Sequence, residues 1–306
     1  MNVQQHRQGV GYALGAYIIW GIAPVYFKLL SAIPPNEILS HRIIWSFFFM
    51  LLLLSLSRKW GVVRQALRHP RQLLLLAVTA LLVACNWLIY IWAVNNNHIL
   101  EASLGYFINP LINVLLGMLF LGERFRPMQW LAMLLAAFGV LVQLWTFGSL
   151  PVIALSLAFS FGFYGLLRKK IGIDGQTGML VETLWLLPAA MIYLLLFADS
   201  PTSHVMQNPP SLTLLLMMAG VVTTVPLLLF TAAAMRLRLS TLGFFQYLGP
   251  TLTFLLAVVV YGETISVDRL ITFGFTWLAL IIFIADALYT QRRLRRADNR
   301  VTRNIA

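Results

Sequence analysis

The sequence predicts an all-α membrane protein of ten transmembrane helices, built as two inverted five-helix halves with both termini cytoplasmic. Three observations predict it: a composition unsuited to water, ten apolar runs of spanning length, and an internal repeat. Of the 306 residues, 60% are apolar and only 10% charged, with a mean hydropathy of +0.82. A soluble domain carries about 25% charged residues, so much of this surface must face something other than water.

A hydrocarbon core about 30 Å thick takes about 20 helical residues to cross. Segments of that length lie at 9–30, 37–56, 72–94, 100–121, 127–146, 149–168, 176–198, 211–235, 240–261 and 267–289. They are continuously apolar and lack the alternation of a membrane β-barrel. The first run, Gly9 to Leu30, exceeds a typical signal-peptide core and is read as retained. Most connections are short and polar: Pro34-Pro35-Asn36, Asn95-Asn96-Asn97-His98, Gly122-Glu123-Arg124 and Pro209-Pro210. The stretch Ser57–Arg71 is longer and has room for an amphipathic surface helix carrying Trp60, or for a solvated basic loop. Cys85, the single cysteine, reads as a small core side chain, since it has no partner for a disulfide or a metal cluster.

The net charge of +12 is explained by topology. With the N terminus inside, the inside compartments hold Arg7; Arg58, Lys59, Arg64, Arg68 and Arg71; Arg124 and Arg126; Arg168, Lys169 and Lys170; Arg236 and Arg238; and the tail arginines 292, 293, 295, 296, 300 and 303. These are 19 of the 22 basic residues, as the positive-inside rule requires. Only Lys28, Arg42 and Arg269 fall toward the other side. Removing one helix would invert every later loop and destroy the pattern. The basic tail thus needs no nucleic acid as partner; retention in the cytoplasm and anionic lipid account for it.

The halves repeat each other. Ser103-Leu104-Gly105-Tyr106-Phe107 recurs as Thr241-Leu242-Gly243-Phe244-Phe245. Pro110 stands thirteen residues before Glu123, and Pro250 thirteen before Glu263. Ala13-Leu14 through Trp20-Gly21 to Lys28 aligns with Ala154-Leu155 through Phe161-Gly162 to Lys169, again at an offset of about 140 residues. We therefore divide the chain into repeats at 1–146 and 147–290 and a basic tail at 291–306. Five spans per copy is odd, so the second copy enters the membrane from the opposite side, an architecture recurrent in secondary transporters.

The run Gly105-Tyr106-Phe107-Ile108-Asn109-Pro110-Leu111, followed by Gly122-Glu123-Arg124 and Gln129-Trp130-Leu131-Ala132, resembles the RarD branch of the EamA family, within the drug/metabolite transporter superfamily. The resemblance spans essentially the whole chain. It implies a multi-pass permease of the bacterial inner membrane, typically an exporter of small organic metabolites or drugs, with a central cavity between the halves. It implies neither cofactor nor catalysis.

Candidate site residues follow from what lipid forbids. Pro110 and Pro250 leave the carbonyls of Tyr106 and Gln246 without a helical donor, and such carbonyls belong against protein or a wet cavity. Paired interruptions of this kind point to a transport site; two packing kinks are the plainer alternative. Asn109 and Asn113 share one helix face, as do Asn86 and Tyr90. With Tyr106, Gln246, Tyr247 and Trp87 they are the expected polar and aromatic cavity lining, or else interhelical glue. Glu182 is expected some six residues inside the seventh span, and His41 with Arg42 at the start of the second. Glu182 and His41 are candidates to carry protons during transport; snorkelling of Glu182 and headgroup contacts of His41-Arg42 are the plainer readings.

Among the remaining acids, Glu101, Asp268 and Asp286 are expected solvated or paired near helix ends. Glu123 and Glu263 are expected to cap a neighbouring helix or pair with loop cations such as Arg124. Gly11 and Gly15 form a small-xxx-small face for close packing. Trp60, Trp145 and Tyr289 fit interfacial belts.

No Walker A sequence, HExxH or G-x-S-x-G is present. The expectation is a secondary transporter of a small amphipathic molecule by alternating access, with facilitated import or uniport as the alternative and a membrane enzyme as a more distant one.

Overall fold

The computed structural model describes residues 3–96, 98–148, 150–200, 208–260, 262 and 267–305. Ten of its helices are long and apolar enough to cross a membrane. In chain order the elements are α1 (Val3–Leu29), α2 (Pro35–Ser57), α3 (Trp60–Arg68), α4 (Pro70–Asn95), α5 (Ile99–Leu121), α6 (Pro127–Phe147), α7 (Val152–Ile171), α8 (Gly175–Leu196), α9 (Pro210–Arg236), α10 (Leu239–Gln246), α11 (Leu248–Leu255) and α12 (Val267–Ile305). A π turn, Leu256–Val260, continues α11, and together with α10 these form the ninth span.

Local chemistry sets the ends. Pro35, Pro70, Pro127 and Pro210 each occupy a first helical position, where a missing N–H costs no intrahelical bond. Gly122 ends α5 at φ 62°, a left-handed conformation that glycine adopts without penalty. The short α3 is the amphipathic helix that Ser57–Arg71 allowed: Val63 and Ala66 are buried while Trp60, Val62 and Leu67 remain exposed. The last helix runs on to Ile305, so the basic tail continues the tenth span as helix. Glu263 and the side chains of Asp268 and of residues 290–306 lie outside the described residues.

In lipid, helices gain little from excluding one another from water, so close van der Waals contact must hold the bundle. Glycines supply it at three crossings. A Cβ on Gly220 of α9 would lie 2.4 Å from the backbone of Trp45 on α2. On Gly243 of α10 it would meet the Pro110 carbonyl at 2.8 Å, and on Gly105 of α5 the Ala154 carbonyl at 3.0 Å. The expected Gly11–Gly15 face is only half used: Gly15 meets Leu229, but Gly11 has nothing within 4 Å. Contact on α1 is made through Gly9 and Gly21 instead.

Most of the larger helix contacts have a counterpart when the halves are exchanged, although α7–α9 and α5–α6 do not. Helix α5 packs on α7 as the ninth span packs on α1; α4 on α7 as α9 on α1; α2 on α9 as α8 on α4. The pairs α2–α8, α5–α10 and α6–α12 map onto themselves.

Two expectations fail here. Cys85 is exposed, because it shares an outward stripe of α4 with Leu81, Leu88 and Trp92. The two prolines also differ in effect: Pro250 accompanies a break in which α10 ends at Gln246 and α11 begins at Leu248, whereas α5 is continuous through Pro110.

Candidate functional site

Two clusters of buried or half-buried charge lie in the bundle. The first is sealed. Arg168, near the C-terminal end of α7, is fully buried, and its Nε lies 3.6 Å from Oε1 of Glu182 on α8. The Thr79 hydroxyl of α4 donates to the same carboxylate oxygen at 2.6 Å, and the Tyr164 hydroxyl lies 3.5 Å from the other. Gly178 makes room for the guanidinium: a Cβ there would fall 1.8 Å from an Arg168 terminal nitrogen. Counting Arg168 among exposed loop cations is thus corrected. It is an interior charge whose cost is offset by Glu182.

The second cluster contains Arg42, whose expected headgroup contacts are likewise corrected. It sits two turns into α2 and is half-buried. Its Nε donates to the Thr223 hydroxyl of α9 at 2.8 Å. Its guanidinium carbon stands 4.6 Å from the Trp87 ring centroid and 5.2 Å from that of Phe27, within cation–π reach. Tyr26, Tyr90 and Tyr106 lie near it. Among the described residues no carboxylate pairs with it.

Tyr106 marks open space beside this arginine. Its ring packs edge-to-face on Tyr90 at 5.8 Å between centroids. It is 50% exposed although it lies on the same face of α5 as the fully buried Asn113 two turns on. The exposed Leu115 and Leu119 lie on the opposite, outward face. The exposed surface of Tyr106 therefore looks into the bundle, where the Arg42 cluster lies.

The other expected cavity residues are held by one another. Asn113 donates to Oδ1 of Asn109 at 3.0 Å and to Oε1 of Gln246, and Asn109 reaches the Ala158 carbonyl at 3.4 Å. Tyr247 donates to the Phe107 carbonyl at 3.3 Å. Asn109, Asn113, Gln246 and Tyr247 are all buried, so in this conformation they bolt α5 to α7 and α10 rather than line a cavity. Asn86 ties α4 to α7 through the Leu157 carbonyl and the Ser160 hydroxyl, each at 2.9 Å. Of the seven expected lining residues, Tyr90 and Tyr106 adjoin Arg42. His41 is buried beside Arg42 with its Nε2 unpartnered.

The acidic residues flanking α5 act as caps. Glu101 accepts the Ile153 N–H of α7 at 2.8 Å. Glu123 accepts the Leu239 and Ser240 N–H groups of α10 at 2.6 and 3.0 Å, and its cation is Arg238 at 3.9 Å rather than Arg124. Carboxylates at helix N-termini complement the macrodipole. Asp286 pairs with Arg126 at 2.6 Å.

Sequence reasoning missed Arg168, Thr79, Gly178 and Thr223.

Comparison with known proteins agrees with this architecture. Residues 7–145 match the model of the EamA-like transporter family. Protein RarD of Salmonella typhimurium is 69% identical over 96% of this chain and 100% of its own length. An uncharacterized transporter of Vibrio cholerae is 60% identical over 96% and 97% of the two chains. A solved crystal structure, 17% identical, shares the fold with a TM-score of 0.70 over 90% of this chain and 97% of the other. With ten spans, the family match and these relatives, the chain is a multi-pass transporter of the bacterial inner membrane and belongs to the RarD branch of the EamA-like transporter family.

Proposed function

We propose that the chain is a secondary transporter that moves a small amphipathic organic molecule, outward, by alternating access between two inverted halves. One observation carries the reading: the main helix contacts recur when the halves are exchanged, yet the two charged clusters differ in exposure. The Glu182 cluster is closed while Tyr106, beside Arg42, keeps half its surface open. In an inverted repeat, clusters at matching positions lie toward opposite faces of the membrane. One open and one closed is what a carrier caught facing one side presents. The halves at 1–146 and 147–290 are then the moving bodies.

Comparative metabolite profiling of cells with and without the protein tests substrate and direction together. The expected result is a small organic solute retained inside cells that lack the protein. Reconstituted into vesicles, the protein should exchange that solute faster when unlabelled solute is present on the far side. Unchanged metabolite distributions at verified membrane expression would contradict the reading. A relative from Pseudomonas aeruginosa named chloramphenicol-sensitive protein RarD, 33% identical, makes phenicol compounds worth including.

A second reading, coupling to protons, draws on buried His41 with its unpartnered Nε2. Glu182 favours the uncoupled version, because Arg168 and Thr79 already engage its carboxylate. Wild-type exchange in vesicles should therefore be insensitive to an imposed pH gradient. Acceleration by the gradient would assign the coupling to His41 or Glu182.

A further inference from the structure

We infer that the Arg42 cluster is a binding site for organic anions, taking a single carboxylate carried on a planar apolar body. The inference rests on the transport reading and narrows its substrate class.

The first line of argument is the missing countercharge. Arg42 lies within a membrane span, where a lone charge costs about 2.5–3.5 kcal/mol on insertion scales. Its Nε is engaged by Thr223, but its two terminal nitrogens have no partner among the described residues. Neither is sealed without a partner, as the Arg168 nitrogens are. They border the space into which Tyr106 is exposed. A guanidinium edge with two free N–H groups matches a carboxylate in bidentate geometry.

The repeat supplies the second line. In the repeat alignment, His41 and Arg42 stand where the second half places Glu182 and Thr183. The surroundings correspond as well: each residue meets a threonine from the opposite half, Thr223 for Arg42 and Thr79 for Glu182. Each also has a tyrosine from the first helix of its own half, Tyr26 or Tyr164. The second half thus faces its buried cation with a carboxylate, whereas the Arg42 cluster of the first half has none among the described residues. A ligand carboxylate at Arg42 would restore the balance that Glu182 provides internally.

The walls define the rest of the ligand. Trp87 and Phe27 cover the guanidinium, and the Tyr90–Tyr106 pair presents ring surface beside it. Flat apolar groups stack on such surfaces. A polyanion such as a phosphate ester fits less well, since the Arg42 guanidinium offers it one positive charge.

The test measures binding by the purified full chain in detergent micelles through the ligand-dependent rise in unfolding temperature. The probes are acid–amide pairs of equal shape: benzoate with benzamide, and indole-3-acetate with indole-3-acetamide. At least one acid should bind wild-type protein at least about tenfold more tightly than its amide, as a charge-assisted hydrogen bond implies. Arg42→Gln should erase that advantage, and Arg42→Lys should keep the preference at reduced affinity. Should Arg42→Gln fail to fold, the wild-type and Arg42→Lys comparisons still decide. Acids binding no better than amides, or an advantage that survives Arg42→Gln, would overturn the inference. Neither result would touch the transport reading, which the profiled solute tests separately; failure of that exchange with acid binding intact would point to a binding protein that does not carry.

Discussion

Arg168 shows what a single residue demands inside a bilayer. Its guanidinium fits only because Gly178 has no side chain, and it is tolerated only because Glu182 faces it. Removing one partner of a buried ion pair costs about 3–5 kcal/mol, whereas replacing both by apolar groups is often neutral. Glu182→Gln should therefore lower the unfolding temperature in micelles markedly, and Arg168→Met with Glu182→Leu should recover most of the loss. Additive losses in that double-mutant cycle would contradict the pairing. At this scale the sequence was least legible. Periodicity and composition locate a charge along a helix, but the difference between a snorkelling arginine and a paired one lies in residues far apart in the chain. Thr79 and Glu182, 103 positions apart, are such a case.

Among the helices, bulk apolarity says little about who packs on whom, and the glycines say more. Gly220 and Gly11 both lie in apolar helices, yet the first is pressed against the α2 backbone and the second faces open space. Gly220→Val should separate α2 from α9 and sharply reduce the yield of folded, monodisperse protein. Gly11→Val should leave both yield and unfolding temperature close to wild type. Equal tolerance at the two positions would contradict the packing described. The spans themselves were readable from the sequence because the bilayer fixes their length, and each predicted segment overlaps an observed helix. What it could not supply was the unequal response of two equivalent prolines. A proline removes the same bond in both copies, but Asn109 and Asn113 brace the turns around Pro110 with hydrogen bonds to α7 and α10.

For the whole molecule, duplication was visible in the Gly-Tyr-Phe and Gly-Phe-Phe runs and in the spacing of proline to glutamate. The asymmetry on which the proposed carrier rests was not. In the proposed repeat it arises where His41 and Arg42 of one half stand opposite Glu182 and Thr183 of the other. Transport as proposed needs an interior space beside Arg42, reached from the membrane face opposite the N terminus. Its most direct test is the labelling of Tyr106→Cys, in a Cys85→Ala background, with a membrane-impermeant thiol reagent in sided vesicles. Rapid reaction from the face opposite the N terminus, with Leu115→Cys inert as the lipid-facing control, is the result expected. A Tyr106→Cys that reacts no faster than Leu115→Cys from either face would contradict the account.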